Sequence, residues 1–145
     1  MQHTHSRIWI HLVWATKNRQ RCLFKECGIQ LYNHLIAYAG KELKVPFERL
    51  NIQPEHVHGL IDLPTNILLS DLIRKLKGES SYWMNQNKIM RTQFCWQRGF
   101  GAYSVSASHI KNVKQYIEDQ QNHHTRRTFA DEYEEWLEQY GIFNE

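Results

Sequence analysis

The segment PEHVHGLIDLP, residues 54–64, carries two histidines separated by one valine. Because side chains alternate between the two faces of a strand, His56 and His58 are predicted to point the same way, roughly 6–7 Å apart at the backbone. Two neutral imidazoles at this spacing can bind one divalent cation from the same side. The alternative is that both histidines are partly buried and hydrogen-bonded to the backbone.

Two known uses of alternating histidines do not fit the residues that follow the pair. A metallo-β-lactamase-like zinc site has the pattern HxHxDH, which requires aspartate and histidine where this sequence has Leu60 and Ile61. Histidine-triad nucleotide hydrolases require a third histidine, again at the position of Leu60. Because two ligands do not complete a metal site, a further ligand is expected from elsewhere in the chain.

The segment IKNVKQYIEDQQ, residues 110–121, offers that ligand and a nucleophile. Its apolar stripe is formed by Ile110, Val113 and Ile117. Tyr116 and Gln120 lie one helical turn apart at the edge of this stripe. Gln120 has a carbonyl oxygen that can bind a metal, and the Tyr116 phenol can attack a target that a cation polarises. Alternatively, Tyr116 lies at a helix edge with its hydroxyl in water, and Gln120 is solvated.

The remaining pattern predicts the elements that position these residues. Period-two alternation predicts strands at 6–17, 45–53 and 56–63, and Gly-interrupted extended pieces within 94–106. Helical spacing of apolar residues predicts helices at 25–43, 70–87, 108–124 and 129–141. The order β-α-β-β-α-β-α predicts an α+β fold with helices packed on an antiparallel sheet.

Length and composition bound the class of protein. A chain of 145 residues with 41% hydrophobic residues suits one folded domain. We expect a soluble, cytoplasmic protein, because no apolar run reaches the roughly 18 residues needed to span a bilayer and the N-terminus lacks a signal-peptide core. The 3 cysteines form no CxxC pair, so a disulfide framework is not expected.

The charge is unevenly distributed along the chain. Residues 1–116 contain 16 Lys and Arg against 7 Asp and Glu, whereas residues 117–145 contain 2 against 8. A basic body can attract a polyanion by releasing its counterions, although a solvated lysine-rich surface explains the same composition. We expect one domain over 1–145, with a core at about 6–122 and an acidic helical tail at 123–145.

Taken together, these residues resemble the single-tyrosine HUH transposases, the small transposases of the insertion-sequence-two-hundred type. That family has a strand with histidine-hydrophobic-histidine and, later, a helical tyrosine followed four residues on by glutamine. Five segments carry the resemblance in the family's order: HLVWATKNRQ, EHVHGLIDLP, LIRKLKGESSYW, WQRGFGAYSVS and VKQYIEDQQ. Gly59 departs from the pattern, because the family usually has a bulkier apolar residue there.

The resemblance implies a ferredoxin-like (RRM-like) fold with the catalytic tyrosine on a C-terminal helix. It also implies a homodimer whose sheets join edge to edge and whose active site can be shared between subunits. By position, His56, His58 and Gln120 would hold Mg²⁺ or Mn²⁺. Tyr116 would attack a single-stranded DNA phosphate, forming a 5′-phosphotyrosine link. The implied function is therefore a DNA transposase that cuts and rejoins single strands.

The resemblance also gives the basic segments a role, which is contact with DNA hairpins at the ends of the element. The candidate phosphate-binding residues are Lys17, Arg19, Arg21, Arg74, Lys75 and Lys77. Tyr103 and Trp83 are candidates for stacking on unpaired bases, although Trp83 is favoured as a core residue. Two alternatives remain: a domesticated single-strand nickase of the repetitive-palindrome-associated branch, and a non-catalytic RRM-like nucleic-acid-binding module.

Overall fold

A four-stranded antiparallel sheet organises the chain. The computed structural model describes residues 4–120 and, beyond them, Glu138 alone. The strands are β1 (Trp9–Ala15), β2 (Phe47–Ile52), β3 (His56–Asp62) and β4 (Gly101–Ser104). Their order across the sheet is β2-β3-β1-β4, with antiparallel pairing throughout. This is the strand order of a ferredoxin-like βαββαβ unit, which confirms the predicted fold class.

Three helices connect and cover these strands. They are α1 (Lys25–Ala37), which a π-helical turn at Tyr38–Glu42 continues, α2 (Leu69–Gln86) and α3 (Ile110–Glu118). The predicted helix at 129–141, and the part of the predicted helix 108–124 after residue 120, lie outside the described residues. None of the helices in the described part of the chain is long and apolar enough to cross a membrane.

The main hydrophobic core lies between one face of the sheet and the helices α1 and α2. Its fully buried members include Leu12 on β1, Ile61 on β3, Leu35 on α1 and Leu76 on α2. The strand residues among them follow the two-residue period, and the helix residues lie on the predicted apolar stripes.

The predicted apolar stripe of α1 is wider than the surface it buries. Leu31 and Leu35 are completely buried, but Ile29, Tyr32 and Ile36 remain 62%, 39% and 37% exposed. A helix buries only the arc that faces its sheet, so the apolar side chains beyond this arc stay in contact with solvent.

Gly59 makes room for an aromatic side chain on β2. A Cβ atom at Gly59 would lie only 2.6 Å from Cε1 of Phe47, so no larger residue fits without moving this ring. Phe47 in turn packs against the main core. The departure from the family pattern is therefore compensated by packing from the neighbouring strand.

The helix α3 covers the opposite face of the sheet. Val113 and Ile117 on α3 form a second apolar cluster with Val13 of β1 and Leu60 of β3. Ion pairs join the same helix to β2: the Lys114 ammonium lies 3.1 Å from the Glu48 carboxylate, and Arg49 bonds Glu118. The tyrosine helix therefore docks on the sheet of its own chain.

Candidate active site

The two histidines of β3 lie side by side under α3. His56 and His58 are each only 1% exposed, and their Nε2 atoms are 3.0 Å apart. Both belong to the face opposite the main core, as the alternation of the strand predicts. Two nitrogen atoms this close fit either a shared hydrogen bond or a shared cation.

A buried carboxylate fixes the orientation of His56. Nδ1 of His56 donates a hydrogen bond to Oε1 of Glu55 over 2.9 Å, and the Glu55 side chain is only 4% exposed. The guanidinium of Arg21 donates to the other carboxylate oxygen over 2.8 Å. In its neutral form, with the proton on Nδ1, His56 presents the lone pair of Nε2 toward His58. Arg21 therefore compensates a buried charge at this site, and its contact with DNA stays a prediction.

A third histidine supports His58. His11 of β1 is completely buried, and its Nε2 lies 2.9 Å from Nδ1 of His58. Sequence reasoning missed both His11 and Glu55. The signals were present: His11 shares the parity of Val13, on the face opposite the core, and Glu55 directly precedes the histidine pair.

Tyr116 lies against this histidine cluster. Its ring centroid is 5.7 Å from that of His58 and 6.2 Å from that of His11, in edge-to-face geometry. At 7% exposure it is a buried residue, so the alternative of a solvated tyrosine at a helix edge does not hold. A single chain thus brings the candidate nucleophile together with both candidate metal-binding histidines.

Gln120 is completely buried one turn after Tyr116. Its Nε2 donates to the Tyr116 carbonyl over 3.1 Å, whereas its Oε1 has no hydrogen-bond partner among the described residues. A buried amide oxygen without a donor is costly unless something else satisfies it, and a hard divalent cation would do so. Within residues 4–120, no three His, Cys, Asp or Glu side chains form a metal-binding group. Its burial without a donor makes the Gln120 amide oxygen a candidate ligand.

The six predicted phosphate contacts fall into different environments. Lys17 and Arg19 lie on a 3-10 turn just after β1, close to the end of the strand where Ala15 pairs with His56. Arg74 is 3.5 Å from Asp71, an exposed pair on α2, and Lys75 is exposed.

The Lys77 side chain is hydrogen-bonded to backbone carbonyl groups. Its ammonium donates to the carbonyl oxygens of Gln97 and Gly99, over 2.6 and 2.7 Å. Burial lowers the pKa of Lys77 below its ordinary value. These contacts anchor the loop before β4, so Lys77 shapes the surface near the site.

Comparison with known proteins places the chain among transposases. A family model described as IS200-like transposases matches residues 4–120. The structure is similar to that of a presumed transposase from Deinococcus radiodurans R1, with a TM-score of 0.66 and 22% identity over 83% of this chain and 95% of that one. It is also similar to a REP-associated tyrosine transposase bound to a REP hairpin, with a TM-score of 0.62 and 18% identity over 86% of this chain and 74% of that one. None of the curated proteins matches the sequence.

Proposed function

Because the chain belongs to the family of IS200-like transposases, we propose that it cuts and rejoins single-stranded DNA through a covalent tyrosine intermediate. The observation that carries the proposal is the contact between the Tyr116 ring and His58, whose Nε2 faces that of His56. The substrate is a DNA hairpin with single-stranded flanks. One solved relative is itself bound to a REP hairpin, which supports this choice.

In the proposed reaction, the Tyr116 oxygen attacks the scissile phosphorus. The bond from phosphorus to the 3′ oxygen breaks, the tyrosine loses its proton, and the departing strand ends in a 3′-hydroxyl. The 5′ phosphate stays on Tyr116. Rejoining is the reverse: a 3′-hydroxyl attacks the phosphotyrosine and releases the phenol. The covalent link conserves the bond energy, so no nucleotide cofactor is required.

His56, His58 and Gln120 are the residues that would hold Mg²⁺ or Mn²⁺. When bound, the cation would polarise the scissile phosphate and offset charge on the leaving oxygen. Glu55 keeps the His56 proton on Nδ1, and His11 accepts the Nδ1 proton of His58, so each Nε2 lone pair is available.

Coverage of the histidine face by α3 argues against the RRM-like alternative. RRM modules bind RNA on an open sheet through exposed aromatic residues. Here α3 covers that face, and His56 and His58 are 1% exposed.

A covalent-adduct assay tests the proposal. The purified protein is incubated with Mg²⁺ or Mn²⁺ and a pool of DNA hairpins whose single-stranded flanks are randomised, so that the cognate sequence need not be known. On a denaturing gel, DNA labelled at its 3′ end should migrate with the protein, whereas DNA labelled at its 5′ end should be released. Chelation and Tyr116→Phe should each abolish the adduct. Tyr82→Phe is the matched control, because Tyr82 is 65% exposed on α2.

Two results would contradict the proposal. An adduct that survives Tyr116→Phe excludes this residue as the nucleophile. Absence of any wild-type adduct across the randomised pool excludes the cleavage reaction.

A further inference from the structure

A groove beside the histidine cluster has no role in the proposed strand cleavage. It has a volume of about 230 Å³ and lies where the loop at 97–101 folds over the end of β1. Its lining residues include Val13, Ala15, Arg19, Arg98, Phe100 and Tyr103. None of its lining residues is acidic.

Strand register places this groove next to the candidate active site. In the pairing of β1 with β3, Ala15 is opposite His56 and Val13 is opposite His58. Directly paired residues point to the same face of a sheet, so both groove residues share the histidines' face. On the other side of β1, Tyr103 of β4 pairs with His11. With strands about 4.8 Å apart, the groove begins within roughly 10 Å of the histidines.

The walls of the groove are tied in place. The backbone N–H of Asn18 donates to Oε1 of Gln97 over 2.8 Å, which links the turn after β1 to the loop before β4. The Lys77 ammonium donates to two carbonyl oxygens of the same loop. Asn18 and Arg19 both have positive φ angles, 57° and 53°, in a region that side-chain-bearing residues rarely adopt. The strained backbone therefore lies in the turn whose Arg19 side chain lines the groove.

The lining chemistry matches an unpaired nucleotide. Phe100 is 44% exposed, so its ring is accessible, and Arg19 and Arg98 supply positive charge on an acid-free surface. Aromatic faces that stack on bases, combined with cations that contact phosphates, are the common device for binding single-stranded nucleic acid.

We infer that this groove binds one unpaired base of the single-stranded DNA substrate, a few nucleotides from the scissile phosphate. The base stacks on Phe100, while Arg19 and Arg98 contact the adjoining phosphates. The assignment rests on the proposed function for the nature of the substrate. It gives Arg19 a defined contact, adds Arg98 and Phe100 to the DNA-binding residues, and makes Lys77 an anchor of the groove loop.

The test measures binding of a fluorescein-labelled oligo(dT) of 12 nucleotides by anisotropy at fixed salt. Phe100→Leu keeps an apolar side chain but removes the flat ring, and should weaken binding about tenfold. Phe100→Trp retains an aromatic face and should bind within threefold of wild type. The matched control is Tyr82→Leu, which removes an exposed ring that does not line the groove and should leave the affinity unchanged. Thermal unfolding of each variant verifies that the fold is intact.

The groove assignment is overturned if Phe100→Leu binds oligo(dT) as tightly as wild type, or if Phe100→Trp loses as much affinity as Phe100→Leu. Failure of the proposed function is distinguishable, because it is read from the adduct assay. An adduct that depends on Tyr116, together with unchanged affinity in Phe100→Leu, refutes the groove alone. Loss of affinity in Phe100→Leu without any wild-type adduct refutes strand cleavage and retains the groove as a DNA-binding site.

Discussion

Both faces of the central sheet contain completely buried residues, but the two faces differ in chemistry. On one face, Leu12 and Val57 lie at 0% exposure against helices α1 and α2. On the other, His11 and His58 lie at 0% and 1% exposure beneath α3. Burial alone therefore does not distinguish a hydrophobic core from a functional site. The difference is that buried imidazoles must be hydrogen-bonded or bound to a cation, because an unsatisfied polar group costs free energy.

The hydrogen bonds on the histidine face lead to the two Nε2 atoms from opposite sides. One series runs from Arg21 through Glu55 to His56, and the other joins His11 to His58. The apolar face requires only complementary shape, whereas this face requires particular donors and acceptors at every link. We therefore expect substitutions on the two faces to separate stability from chemistry.

Two consecutive residues of β3 provide the sharpest test of this comparison. His58→Ala removes a proposed metal ligand and should slow adduct formation at least about a thousandfold, since a catalytic cation contributes several kcal/mol to transition-state stabilisation. Val57→Ala should lower the free energy of unfolding by about 1.5–3 kcal/mol, because Val57 is completely buried. Its adduct rate should remain near wild type below the unfolding transition.

Both variants are measured in the adduct assay and in urea unfolding. The contrast between the two faces fails if Val57→Ala loses the adduct while still folded. It also fails if His58→Ala retains wild-type adduct formation.

A second pair of variants tests whether the outer histidine acts on the metal. His11→Ala should weaken Mn²⁺ binding about 10- to 100-fold, the usual cost of losing a group that supports a metal ligand. His11→Gln keeps an acceptor oxygen for Nδ1 of His58 and should recover part of this loss. The matched control is His34→Ala, because His34 lies between α1 and α2, bonded to Glu79 and stacked on Trp83.

Calorimetric titration of the DNA-free protein with Mn²⁺ measures these affinities without relying on activity. If wild type and His11→Ala bind Mn²⁺ with equal affinity, His11 contributes only to packing. If His34→Ala loses as much Mn²⁺ affinity as His11→Ala, the loss is a general effect of removing a histidine.

Sequence patterns predicted the architecture better than the contacts of individual side chains. Alternation fixed which face of β3 carries His56 and His58, because strand parity is local. The partners of these residues are not local: His11 precedes His58 by 47 positions, and only the β1–β3 register brings them together. Asp62 is a similar case, because it forms an ion pair at 2.8 Å with Arg7, which lies 55 positions earlier.

Gly59 is another residue whose contacts the sequence does not predict. Its substitution has the smallest of the predicted effects. The sequence marks Gly59 only as an unusual residue after the histidine pair, and the structure explains it by the Phe47 ring. Gly59→Ala places a Cβ atom 2.6 Å from Cε1 of that ring, so the ring must shift. We expect a loss of about 1–2 kcal/mol in the free energy of unfolding, as is typical of overpacking.

The double variant Gly59→Ala/Phe47→Leu separates ring packing from a backbone requirement. Leucine lacks the clashing ring edge, so in the Phe47→Leu background the added methyl group should cost less than it does in wild type. A cost of Gly59→Ala that is independent of the residue at position 47 would mean that β3 itself requires glycine. Because the clash lies on the core side of the sheet, adduct formation should be unchanged in every variant of this cycle while the protein remains folded. Loss of the adduct in folded Gly59→Ala would show that packing on the apolar face is transmitted to the histidines, and the two faces would not be independent.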